Sequence, residues 1–165
     1  SDPFLQISRA NESSKDFTLV HRTEYIKNNT SPVWKQFTIP IRSLCNGDLD
    51  RCLKFECLDH NQNGKHSFIG EFFTTTRHLV DGPGPGNIHS CINTKKRDRK
   101  KNYKNSGQIH LMYSKIVKGY SFLDFVRAGT ELACTFAIDF TASNGNPQNS
   151  ESLHLLVSFL QKNPI

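Results

Sequence analysis

The sequence predicts a mainly β fold, an antiparallel β-sandwich over residues 1–117, followed over residues 118–165 by the opening segment of an α/β domain. Three observations lead there. Short runs rich in β-branched and aromatic residues recur along the first part, turn-forming clusters separate them, and the texture of the chain changes after about residue 117. Phe is abundant at 12 residues while Ala-Leu-Glu helical character is scarce, which favours sheet over bundle. A chain of 165 residues suits one domain, or one domain and a fragment of a second.

The strand-like runs, in order, are "PFLQISR" (3–9), "FTLVHRTEYI" (17–26), "WKQFTIPI" (34–41), "CLKFECLD" (52–59), "SFIGEFFTTT" (67–76), "NIHSCIN" (87–93) and "GQIHLMYSKI" (107–116). Partial period-two alternation marks them as half-buried strands. The pieces between them, "NNTSP", "CNGDLD", "NQNG", "DGPGPGN" and "KNSG", carry the Gly, Pro, Asn and Asp residues that turns require. Trp34, Phe37, Phe55, Phe68 and Phe72 are expected in the core. Beyond residue 117, "YSFLDFVRAGTEL" (120–132) reads as a short amphipathic helix and "ACTFAIDFTASNGNP" (133–147) as a buried strand running into a polar loop. Such an apolar run ending in acid and hydroxyl residues is typical of α/β sheets, whose ligands sit at the carboxyl ends of strands.

Composition narrows the setting. No run approaches the roughly 18 apolar residues needed to cross a bilayer, and Ser1-Asp2-Pro3 has neither the basic flank nor the apolar core of a signal peptide. A cytoplasmic protein is expected. The five cysteines form no CxxC pair, which suggests free thiols and neither a zinc cluster nor a disulfide framework. The net charge of +6 is concentrated in "KKRDRKKNYK" (95–104), where Lys95, Lys96, Arg97, Arg99, Lys100, Lys101 and Lys104 face a single acid, Asp98. Such a run is either a solvated loop between strands or a surface for an anionic partner. Lys and Arg beside an anionic leaflet contribute about 1 kcal/mol each. Nucleic acid is not expected, since only Tyr103 is available to stack on bases.

One stretch has the outline of a metal loop. In "LDHNQNGKHSFIGEF" (58–72), Asp59, Asn61, Asn63 and Gly64 match the first half of an EF-hand loop. The twelfth position is Gly70 and the glutamate falls one residue late at Glu71, so the bidentate ligand is lost; the flanks also read as strands. The remaining readings are a polar hairpin connection or a metal loop between two strands of a sandwich.

Here a family resemblance becomes specific. "SDPFLQISR", "VHRTEYIKNNTSPVW" and "LDHNQNGKHSFIGEF" resemble, in order, the first calcium loop, the strand with its following turn, and the third calcium loop of a C2 domain. "KKNYKNSG", "YSFLDFVRAGTEL" and "FAIDFTASNGNP" are similar to the junction in copines, where a second C2 domain leads into a von Willebrand A-like domain. The resemblance covers about residues 1–150 and implies a C2 sandwich lacking its first strand or strands. It implies a cytoplasmic protein recruited to the plasma membrane or other anionic membranes by calcium-dependent phospholipid binding, with protein partners engaged through the A-like region.

Carried over residue by residue, the resemblance makes Asp2 and Asp59 retained calcium ligands, while Asn61, Asn63 and Ser67 stand where copine loops usually carry aspartates. Calcium wants six to eight oxygens and its affinity follows ligand charge, so an attenuated Ca²⁺ site is expected. Asp139, Thr141 and Ser143 in "DFTAS" match the start of the metal-ion-dependent adhesion motif, whose Mg²⁺ would need later loops of a complete A-like domain. No paired carboxylates, P-loop or nucleophile motif appears, and no enzyme activity is expected. The alternative function is a calcium-independent module for protein interaction, or a basic-patch adaptor for anionic lipid.

Overall fold

A computed structural model describes all residues except 13–14, 138–141 and 154–165. The described chain divides into two compact units, residues 1–117 and 118–165.

The first unit is built on an antiparallel four-stranded sheet of order β2-β1-β3-β4, formed by β1 (Pro3–Ala10), β2 (Phe17–Arg22), β3 (Cys52–Asp59) and β4 (Ser67–Thr75). Alternation along β3 sets its two faces. Leu53, Phe55 and Cys57 are buried, whereas Lys54 and Glu56 point the other way and pair with each other at 3.1 Å. Ile7 on β1 and Phe72 on β4 join Leu53 and Phe55 in one cluster, with the Phe55 and Phe72 rings stacked at 4.8 Å. Leu5, Cys57 and Cys91 form a second cluster against which Trp34 packs. Cys57 and Cys91 share a hydrogen bond there, which together with burial raises the Cys57 pKa. Cys45 is also buried and Cys134 is exposed.

A second layer is supplied by the pair β5 (Ile88–Ser90) and β6 (Gln108–His110), whose Ile109 packs on both clusters. Short helices α1 (Ile41–Cys45) and α2 (Thr76–Val80) close the bottom of the sheet, and α3 (Thr94–Arg99) leaves the end of the β5 segment. The mainly antiparallel β fold expected of the sequence is thus present.

Several details differ from expectation. Residues 34–40 form no strand, because among the described residues no neighbouring ladder pairs with them: Lys35 N–H donates instead to the Glu24 carboxylate at 2.7 Å. Phe37 is consequently exposed and stacks on His21, and is no part of the core. The run 95–104, which the composition alone reads as loop or patch, is helical over its first half.

In the second unit α4 (Phe122–Arg127) is held by a capping box in which Ser121 Oγ accepts from Asp124 N–H and the Asp124 carboxylate accepts from Ser121 N–H at 2.8 Å. Its apolar side chains Phe122, Leu123 and Phe125 are exposed. The buried strand expected to open the run 133–147 is not found in its described part: residues 133–137 are exposed and unpaired in any ladder, Phe136 among them. A strand buries its side chains only against a neighbouring sheet, and none is present among the described residues of this unit.

Candidate functional site

The end of the sheet at which β3 hands over to β4 gathers most of the chemistry expected of the chain. Three registers define it: Pro3 opposite Asp59, Asp59 opposite Ser67, and an antiparallel bridge between Glu71 and Ile92. β4 runs away from this end and the β5 segment runs back toward it, so α3 emerges beside loop 59–67.

Asp2 and Asp59 meet. Asp2 N–H donates to Asp59 Oδ1 at 2.6 Å, and Asn28 N–H donates to Asp2 Oδ1 at 2.9 Å. The neutral positions are turned to other work. Asn61 Nδ2 donates to the Lys65 carbonyl at 2.6 Å and to Ser67 Oγ at 3.2 Å, and Asn63 Oδ1 accepts from Lys65 N–H at 2.9 Å. Among the described residues no three His, Cys, Asp or Glu side chains group to hold a metal ion. A hard cation wanting six to eight oxygens meets here a donor N–H from Asn61 and carboxylate oxygens already accepting backbone N–H groups, a poorer ligand set than a loop of aspartates would offer. Of the adhesion motif, Asp139 and Thr141 lie outside the described residues; Ser143 sits on a short 3₁₀ turn, Ala142–Asn144.

The loop is pinned to the sheet by side chains absent from the sequence reading. Phe4, fully buried, carries the Arg22 guanidinium over its ring at 4.1 Å and the His66 ring against its edge at 5.0 Å. His60 stacks on Tyr25 at 4.0 Å. Asn61 N–H donates to His66 Nδ1 at 3.1 Å, an acceptor that a protonated imidazole would lose, and Arg22 Nη2 lies 3.1 Å from Nε2. Burial, with Arg22 and His60 nearby, accordingly holds the His66 pKa below its ordinary value.

Beside the loop stands the basic segment. Lys95, Lys96, Arg97 and Arg99 lie on α3 and Lys100, Lys101 and Lys104 follow it; all seven are exposed, and one ion pair is found among them, Arg97 with Asp98 at 3.8 Å. Asn93 fixes where they point. Its Oδ1 accepts from Lys96 N–H as the helix cap, while its Nδ2 donates to the carbonyls of both Phe68 and Ile69 at 3.2 and 3.3 Å. Successive carbonyls of a regular strand point opposite ways. The register shift between Cys57 and Leu58 makes Ile69 an extra residue on β4 and turns both oxygens toward one amide. Tyr103 closes the base, its hydroxyl accepting from Asn93 N–H at 2.8 Å and bonding Ser106 Oγ at 2.8 Å, so the one aromatic of the run is used structurally. An Asn immediately before a helix-compatible run was the legible sign of this cap; its reach to β4 had none. Asn93→Ala is expected to cost about 2 kcal/mol and to loosen α3, read as a lower denaturant midpoint with faster hydrogen exchange at Lys96 N–H.

A C2 domain family model matches residues 1–104. The chain belongs to the C2 domain family. C2 domains generally are calcium- and lipid-binding modules that associate with membranes. The chain is also similar to a solved structure, BON1-C2B, at 26% identity over 70% of this chain and 75% of that one, with a TM-score of 0.49. No helix among the described residues of this C2 protein is long and apolar enough to cross a membrane.

Proposed function

We propose that the chain is a copine-type peripheral membrane protein whose C2 domain, residues 1–117, binds anionic phospholipid chiefly through the cations of α3 and its continuation, with calcium response attenuated. The supporting observation is the position of the basic segment: Asn93 ties α3 to Phe68 and Ile69, the residues that immediately follow loop 59–67, so seven exposed cations share one end of the domain with that loop. A leaflet approached by this end meets most of the excess positive charge of the chain at once.

In this reading residues 118–165 open a von Willebrand A-like domain, supported by the likeness of "YSFLDFVRAGTEL" and "FAIDFTASNGNP" to the copine junction. Asp139, Thr141 and Ser143 would contribute to a Mg²⁺ site only in a complete A-like domain, and protein partners would be taken by that region. The protein is a binding module and no enzyme, cytoplasmic and recruited to the plasma membrane or another anionic surface.

Co-sedimentation with phosphatidylserine vesicles tests the proposal. The protein is expected to pellet in chelator nearly as well as in calcium. Pelleting that depends wholly on calcium would overturn the attenuated reading. Absence from the pellet in both conditions would overturn the membrane reading and favour an acidic protein as the partner of α3.

A further inference from the structure

The chain reverses between Asp59 and Ser67, which face each other across the β3–β4 ladder. A reversal of this length exposes several backbone donors and acceptors, and in metal-binding loops a cation commonly gathers the acceptors together. Here the gathering is done by one residue. Asn61 C=O accepts from Gly64 N–H at 3.1 Å, Asn61 N–H donates to His66 Nδ1 at 3.1 Å, and Asn61 Nδ2 donates to Lys65 C=O at 2.6 Å and Ser67 Oγ at 3.2 Å. Asn63 Oδ1 adds the bond from Lys65 N–H. Backbone and side chain of Asn61 thus reach positions 64, 65, 66 and 67 from a single point.

The chemistry of position 61 makes this arrangement exclusive. A carboxylate has no N–H and accepts only. An aspartate in place of Asn61 would set an anionic oxygen against the Lys65 carbonyl, with the Asp59 carboxylate two residues away, and the loop would need a cation to close. An amide supplies the bridging hydrogens itself.

We infer that Asn61 closes loop 59–67 by its own side-chain amide in the role a divalent cation would otherwise fill, so that the loop keeps its shape without an ion. The inference rests on the C2 assignment of this loop and not on membrane binding. It makes loop shape and calcium concentration independent of each other in this chain, while keeping the surface next to α3 permanently formed.

The test uses the whole chain, with thermal unfolding and hydrogen exchange at Gly64 and Lys65 N–H measured in chelator and in millimolar calcium. Native protein is expected to show the same midpoint and the same protection in both. Asn61→Ala is expected to lower the midpoint by about 3 °C and cut protection about tenfold, with no recovery in calcium. Asn61→Asp is expected to show the same losses in chelator and to recover them in calcium. A rise of several degrees for native protein in calcium would overturn the inference, as would undiminished protection at Gly64 and Lys65 in Asn61→Ala. Loss of vesicle pelleting with a calcium-silent native loop would remove the membrane reading and leave this one standing.

Discussion

Reversing two charges, Lys100→Glu with Lys101→Glu, is expected to lower the affinity for phosphatidylserine vesicles on the order of a hundredfold or more while leaving the fold intact. Each Lys near an anionic leaflet contributes about 1 kcal/mol, and reversal both removes that attraction and adds a repulsion. Both residues are exposed, so the thermal midpoint should hardly move. Vesicle titration at rising salt provides the second reading. The Debye length shrinks from about 8 Å at 0.15 M ionic strength to about 3 Å at 1 M, so native binding should fall steeply with salt while the double variant has little left to lose. Unchanged affinity in the variant would mean that the basic segment does not face the bilayer.

Gly70→Ala is expected to be the most damaging single methyl in the domain, at about 3 kcal/mol. A Cβ at Gly70 would lie 2.9 Å from the Ile92 carbonyl carbon, 3.0 Å from that of Cys91 and 3.0 Å from the Ile92 oxygen. All three are backbone atoms, which cannot swing aside as a side chain would, so the cost falls at the upper end of the overpacking range of about 1–3 kcal/mol. The segment carrying Ile92 must move away from β4, and its paired bonds with Glu71, at 2.9 and 2.8 Å, stretch with it. Asn93 is the next residue, so α3 would lose its seat on Phe68 and Ile69. Denaturant unfolding should show the lower midpoint, and vesicle affinity should fall even though no cation has been touched. A variant of native stability would show that the two segments approach less closely than this.

The sheet was legible because its signal is local. Leu53, Phe55 and Cys57 alternate with Lys54 and Glu56, and that pattern suffices to place β3 and its inner face. Residues 34–40 have the same kind of composition, but a strand exists only where another backbone accepts its bonds, and nothing local to "WKQFTIP" reports that none does. Helix α3 was hidden for the opposite reason: a run of like charges disfavours a helix at i,i+4 spacing, and the cap that compensates for it is a buried Asn whose partners are 24 and 25 residues distant. In the loop the sequence singled out Asn61, Asn63 and Ser67 as neutral positions. It could not assign the Asn61 amide to the Lys65 carbonyl, since whether a neutral group faces inward as acceptor or as donor depends on the reversal it helps to build. Arg22 and His66 carry no motif, and their contacts with Phe4 arise only once β1 is threaded between β2 and β3.

The lodging of α3 at one end of a C2 domain that is otherwise near neutral gives that domain a permanent electric moment along its strands. A body with such a moment turns in the field of an anionic surface before it touches, within roughly a Debye length of about 8 Å at physiological salt. On the membrane reading proposed above, encounters would begin end-first with loop 59–67 toward the lipid, the arrival orientation decided by torque at a distance, ahead of any contact made on landing.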